Sequence, residues 1–289
     1  MTALAAPAAV DVRARRREIR STTLRAVGRA LGRSLFTAVV SFVIIVGVWF
    51  SVVTFFGVAP YITQNPAQVW NYLFTLPSAS ANRELIWGQL SVTLAHSAFG
   101  FVCGLVVAIL VAIVFRVSRL VEAAFMPFAL LLRSVPLLAI APIIFMIFGI
   151  GSQASVGVIG GIVVLFPALV TIAFGLKNAS PTMIDVVHTY GGSTWTVVRK
   201  VALPGSLPSL FAAARISVPG AITGALLTEW LSTGDGIGGS ANKEIVTGQF
   251  PALWAAVVVV TLVALGIYML VQLVESVVLA RMGMATNTR

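Results

Sequence analysis

The sequence predicts an all-α membrane protein with six transmembrane helices, cytoplasmic N- and C-termini, and a cytoplasmic helical element between spans four and five. Three observations carry that reading. Of 289 residues, 58% are hydrophobic and only 10% charged, with a mean hydropathy of +1.01, whereas soluble domains carry about 25% charged residues. Ser34–Asn82, Leu85–Phe115, Ser134–Leu176 and Ile245–Val274 hold no Asp, Glu, Lys or Arg, and a spanning helix needs about 20 apolar residues. The bases are also unevenly placed. With the N-terminus inside, sixteen of the nineteen fall on the cytoplasmic side, Arg83 and Lys243 fall outside, and Arg133 falls within a span, as the positive-inside rule requires. Soluble enzymes, nucleic-acid-binding domains and secreted disulfide scaffolds are excluded.

The chain opens on a basic cytoplasmic tail, 1–33, with eight arginines against Asp11 and Glu18. Beside a first span, such a tail is expected to rest on anionic membrane lipid and calls for no nucleic-acid partner. The single Cys103 excludes an intrachain disulfide and a cysteine-based metal site. Residues 34–86 hold the first span, Leu35 to about Phe56, ended by Thr54, Gly57 and Pro60. An external connection follows, in which Val69, Trp70, Leu73, Phe74 and Leu76 are expected on one face of an interfacial helix.

A five-span core is expected over 87–281, with a short tail at 282–289. Span two is about Leu90 to Phe115, closed by Arg116 and Arg119. Gly149, Gly151, Ser152, Gln153 and Ser155 divide the next apolar stretch into spans three (Phe125 to Phe148) and four (Val156 to Phe174). Spans five (Leu207 to Leu231) and six (Ala252 to Leu279) complete the set. Glycines four apart at Gly100–Gly104, Gly157–Gly161 and Gly220–Gly224 predict close helix packing, within the chain or against a second subunit.

The segment Ser180 to Pro208 interrupts the apolar pattern. Ser180 before Pro181 predicts a helix start, and Thr182 with Asp185 fits a capping box. The helix should stop at Gly191–Gly192. Ser193 should cap a second helix that ends before Leu203–Pro204. Ile184, Val186, Val187, Tyr190, Trp195, Val197 and Val198 make this cytoplasmic element apolar, so a partner is expected to cover it.

The spacing here resembles the inner-membrane permease subunits of ATP-binding-cassette importers, whose loop reads Glu-Ala-Ala, three residues, Gly, nine residues, Ile, one residue, Leu-Pro. This chain has Asp185, Val186 and Val187, then Gly191, Val201, Leu203 and Pro204 at those spacings. Asp replaces Glu, valines replace both alanines, and His188 stands where the family often has Arg. Arg133 to Pro136, Phe148 to Gly151 and the Glu229-Trp-Leu run extend the resemblance over about Trp87 to Leu279. It points to the subgroup that imports nitrate, sulfonates, taurine, or pyrimidine and thiamine precursors.

The resemblance implies a bacterial inner-membrane protein in which those seven residues dock a separate ATPase through a coupling helix. It also implies an external solute-binding protein or lipoprotein and a second permease copy, as a homodimer. No metal or cofactor is implied, and catalysis belongs to the partner. The chain has no G-x-x-x-x-G-K-[ST] phosphate loop, and Gly234 to Gly239 reads as an external loop.

Ionisable residues inside spans are candidate path residues. His96 either lines the path or packs against a neighbouring carbonyl. Arg133 either attracts an anion or reaches back to the cytoplasmic interface. Glu229 either caps backbone amides or gates the external side, and Glu275 is expected to reach interfacial bases. The competing classes are an ATPase-independent secondary transporter or channel, which predicts related broken-helix halves, and a membrane-embedded enzyme, which needs clustered polar groups at one depth. No internal repeat is evident.

Overall fold

The computed structural model describes residue 36, residues 39–55 and residues 61–282, with backbone alone at Leu132 and Arg133. The basic tail 1–33, the ends of the first expected span, and the C-terminal tail from residue 283 lie outside the described residues. The chain divides into two units, Met1–Ala67 and Gln68–Arg289. In the first, α1 (Val39–Phe55) is a continuous apolar helix of about 25 Å. The hydroxyl of Thr54 donates to the carbonyl of Phe50 at 2.8 Å. Helix α2 (Pro66–Trp70) begins in this unit and passes into the second.

Four helices are long and apolar enough to cross a membrane, and all lie in the second unit: Ala79–Val117, Gln153–Lys177, Leu207–Thr233 and Phe250–Arg281. Every regular element among the described residues is helical. Helix α3 (Ala79–Val117) has 39 residues, about 58 Å at 1.5 Å per residue. It therefore overshoots the ~30 Å hydrocarbon core, and its first turns stand outside. There Asn82 and Arg83 donate to the carbonyls of Tyr72 and Leu73, at 2.9 and 2.6 Å, in the π turn Asn71–Thr75 that follows α2. The expected single apolar face of this connection is split. Val69 and Leu73 are buried, whereas Trp70, Phe74 and Leu76 point outward.

The expected third span is not one helix. It forms α4 (Arg119–Ser134) and α5 (Leu137–Phe148), broken at Val135–Pro136. A proline drives its predecessor out of the helical region and lacks an N–H to continue the ladder; Pro136 is extended, with ψ 114°. The twelve residues of α5, about 18 Å, cannot cross alone. The turn after it sits where expected, with Gly149 and Gly151 at φ 95° and 70°. Ser152 then caps α6 (Gln153–Lys177) by accepting from the Ser155 amide at 3.1 Å.

The core is the contact of α3, α6 and α10 (Leu207–Thr228), and glycine is its instrument. A Cβ on Gly100 would lie 2.8 Å from the Cα of Gly160, one on Gly104 2.6 Å from the carbonyl oxygen of Gly161, and one on Gly224 2.9 Å from Gly160. All three expected glycine pairs thus pack within this chain, and Gly160 sits between the backbones of two neighbours. Helix α12 (Phe250–Arg281) covers α10. Arg215 of α10 meets Glu275 of α12 at 3.1 Å, so Glu275 reaches a base on a neighbouring span.

The stretch Gly234 to Gly239, expected as a loop, is instead a turn that opens a helix. After the π turn Glu229–Thr233, Gly234 (φ 72°) and Gly236 (φ 62°) reverse the chain. Helix α11 (Gly236–Thr247) then tucks its first residues into the bundle. Ile237 is buried in a cluster with Leu90, Val218, Ile222, Ala256 and Val260, and that burial is what makes a glycine-rich segment helical here.

Candidate functional site

At the end of the bundle carrying Arg116 and Lys177, the Ser180–Pro208 segment is built by local rules. Helix α7 (Pro181–Thr189) starts with Pro181 in its first turn, where a missing N–H costs nothing. Ser180 takes the N-cap position without a side-chain cap bond. Because Thr182 lies inside the first turn, the expected Thr182–Asp185 capping box does not form. Tyr190 is the C-cap. The Gly192 amide then donates to the Val187 carbonyl at 2.8 Å and the Gly191 amide to His188 at 2.9 Å. With Gly191 at φ 76°, this is a Schellman stop. Gly192 is also required, because a Cβ there would lie 2.4 Å from the Val187 side chain.

Ser193 caps α8 (Thr194–Val197), accepting from the Thr196 amide at 3.4 Å. The expected end before Leu203–Pro204 is not seen. The chain continues through a π turn, Val198–Ala202, into α9 (Leu203–Gly205). Pro204 falls in the first turn of α9, so its lost N–H does not break the run.

The seven residues matched to the docking loop divide into two groups. Val201 is buried and Val187 and Leu203 are partly buried, packing with Ile184 on the α3–α6 cluster around Phe115, Ile172 and Leu176. Asp185, Val186, Gly191 and Pro204 are exposed. The exposed face is extended by Met183, Tyr190 (87% exposed) and Trp195 (57%). One side anchors the element, and the other presents aromatic and aliphatic groups outward.

The opposite end holds a buried polar cluster. Glu229, fully buried, accepts from the Thr93 hydroxyl at 2.8 Å and from the Gly238 amide at 2.9 Å through Oε2. Its Oε1 meets Nδ1 of His96 at 3.0 Å. The Ile237 amide donates to Oγ1 of Thr93 at 2.9 Å. Residues of α3 and of the π turn therefore satisfy two of the orphan amides at the start of α11, where a carboxylate also favours the helix dipole. Of the two alternatives for Glu229, the amide-capping one is observed. His96 packs against this carboxylate rather than a carbonyl. The sequence lacked any signal for Thr93, a lone threonine in an apolar span. Arg133 lies in the last turn of α4, and its side chain lies outside the described residues.

Beside this cluster, Glu244 of α11 is buried, which pushes its carboxyl above the ordinary range; Gln89 and Lys243 partly offset the shift. Tyr72 is raised too, by burial first and then by the Glu244 charge. Among the described residues, no group of three His, Cys, Asp or Glu is arranged to hold a metal.

Comparison with known proteins places this geometry. The family described as binding-protein-dependent transport system inner membrane component matches residues 100–283. A probable ABC transporter permease protein of Haemophilus influenzae is 28% identical, over 76% of this chain and 87% of its own. The formylaminopyrimidine transport permease protein ThiX of Halalkalibacterium halodurans is 26% identical over 76% and 86%. The nitrate import permease protein NrtB of Leptolyngbya laminosa is 27% identical over 86% and 89%. In fold, the chain is similar to a bacterial ABC transporter involved in import of the acidic polysaccharide alginate. That match has a TM-score of 0.54 and 14% identity, and covers 91% of this chain and 98% of the other. The chain belongs to the family of binding-protein-dependent transport system inner membrane components: it is an ABC transporter permease, a multi-pass protein of the bacterial inner membrane.

Proposed function

We propose that the chain forms the translocation pathway of an ATP-driven importer, working as a pair of copies with two ATPase subunits and an external solute-binding protein. Both termini lie in the cytoplasm, and six spans are counted by taking α4 and α5 together as the third. The observation that carries the reading is the two-sided Ser180–Pro208 element. Its inner face is fixed by Val187, Val201 and Leu203, and its outer face offers Met183, Val186, Tyr190 and Trp195 without a covering element among the described residues. An apolar surface of this kind, presented by a rigid base, suits a groove on a partner. Anchoring on α3 and α6 gives movement of the partner a rigid route into the membrane helices.

The cargo is a small organic or inorganic anion, or a vitamin precursor. Permeases for formylaminopyrimidine, nitrate and taurine among the relatives support that range. Reconstitution into vesicles with and without the ATPase, supplied with each candidate solute and the binding protein, tests the reading. ATP-dependent uptake only in the complete system is expected. Uptake that persists without the ATPase overturns the importer and favours a secondary transporter or channel.

A further inference from the structure

A cavity of about 550 Å³ opens at the basic end of the bundle. Its floor is apolar and well packed: Ala112, Phe115, Ala173 and Ala179 are all buried. Its rim carries Arg116, Arg119 and Lys177 against one acid, Glu122. Four helix ends also meet there. The last turns of α3 and α6 bring carbonyl ends, and Arg119 and Pro181 open α4 and α7 with amide ends. Helix ends carry about half a charge each, so two of each sign cancel. The side chains then leave an excess of two positive charges over a buried apolar floor.

Internal contacts do not consume that charge. Lys177 meets Glu122 at 2.5 Å. The Nε of Arg116 donates to the Leu176 carbonyl at 3.2 Å, and its terminal nitrogens make no hydrogen bond or ion pair with the described residues. Arg119 is exposed and makes no hydrogen bond or ion pair with the described residues. We infer that this cavity is a binding site for a phosphate-bearing anion, held by Arg116, Arg119 and Lys177. Guanidinium and ammonium groups match phosphate oxygens in charge and hydrogen-bond geometry. The floor accepts the first carbons of an attached apolar group, as an acidic phospholipid headgroup at this interface would supply. Pro181 and Ile184 of α7 form part of the wall, so an occupant touches the base of the Ser180–Pro208 element. The inference does not depend on what docks on the outer face of that element.

The test uses the purified full chain in a zwitterionic detergent, without any ATPase, so that its failure is separable from failure of the importer reading. Dioctanoyl phosphatidylglycerol, dioctanoyl phosphatidylcholine and inorganic phosphate are titrated separately. Saturable binding of the anionic lipid, about fivefold weaker in Arg119→Gln and tighter in Glu122→Gln, is the expected result and assigns a lipid source. Binding of inorganic phosphate with the same response to both variants, and no preference between the lipids, supports the anion site with a free phosphate as occupant. Arg119→Gln removes a side chain without partners among the described residues, so its fold is retained. If neither anion binds, or binding ignores both substitutions, the inference is overturned.

Discussion

His96 and Glu229, 133 positions apart in sequence, meet at 3.0 Å inside the bundle, and the same carboxylate holds the amide of Gly238 at 2.9 Å. One side chain thus ties α3, the end of α10 and the start of α11 together. Removing it takes the carboxylate partner away from the Thr93 hydroxyl, from His96 and from the Gly238 amide. Glu229→Ala is expected to cost about 3 kcal/mol, the usual scale for breaking a buried charged network. Thermal unfolding of the detergent-solubilised chain measures it. A double-mutant cycle with His96→Ala should show coupling of about 1 kcal/mol or more; additive losses would mean that the two residues act separately.

The glycine contacts make a sharper steric prediction. Gly160 faces Gly100 on one side and Gly224 on the other, and a Cβ on either neighbour would fall within 3 Å of it. Gly100→Val should destabilise the bundle by at least the ~1–3 kcal/mol typical of overpacking, because the obstructing atoms are backbone and cannot rotate away. Gly266→Ala in α12, with open space around the site, should leave the melting temperature unlowered, since alanine is the better helix former. Equal behaviour of the two variants would remove the packing argument.

These two predictions differ in how far the sequence anticipates them. Glycine spacing and charge-free runs are local features, so spans two, four, five and six, the Gly149–Ser152 turn and the Gly191–Gly192 stop are readable directly. Three features are not. The break at Val135–Pro136 is hidden because hydropathy stays high across it, and composition does not register a single proline. The helix at Gly236 runs against glycine's low helix propensity; it forms because Glu229 and Thr93 cap it and Ile237 is buried, which are tertiary facts. Glu229 and His96 were each legible as unusual, but no pattern paired them across 133 positions. The matched loop residues share one motif yet face opposite ways, since spacing is set by both the anchor and the exposed face.

That two-sidedness separates docking from folding. Trp195→Ala and Tyr190→Ala remove exposed rings and should lower co-purification of the ATPase about tenfold or more, with the melting temperature unchanged. Val201→Asp buries a charge in the α3–α6 cluster and should reduce the yield of folded protein. Gly191→Glu forces a side chain into φ 76°, at about 1 kcal/mol, and should abolish association while the subunit stays folded. Normal co-purification of that variant counts against the assigned dock.

Glu244 offers a pH-dependent test. Burial raises its carboxyl above the ordinary value of 4.5, so the folded chain holds this proton at pH values where the unfolded chain has released it. Stability from this group therefore falls as pH rises from the ordinary value through the raised one, and the loss is complete above the raised value. As the pH drops toward 4.5, the penalty disappears. Glu244 Oε2 and Gln89 Oε1 are both buried acceptors without a donor, and a glutamine at 244 carries no charge and brings an amide that can serve the second of them. Glu244→Gln should therefore melt higher than the parent at about pH 7.5, with the gap closing on acidification toward the ordinary carboxylate range. Melting curves of both proteins across that interval decide it, and a gap that stays constant or widens in acid would show that the buried carboxylate is not the origin of the difference.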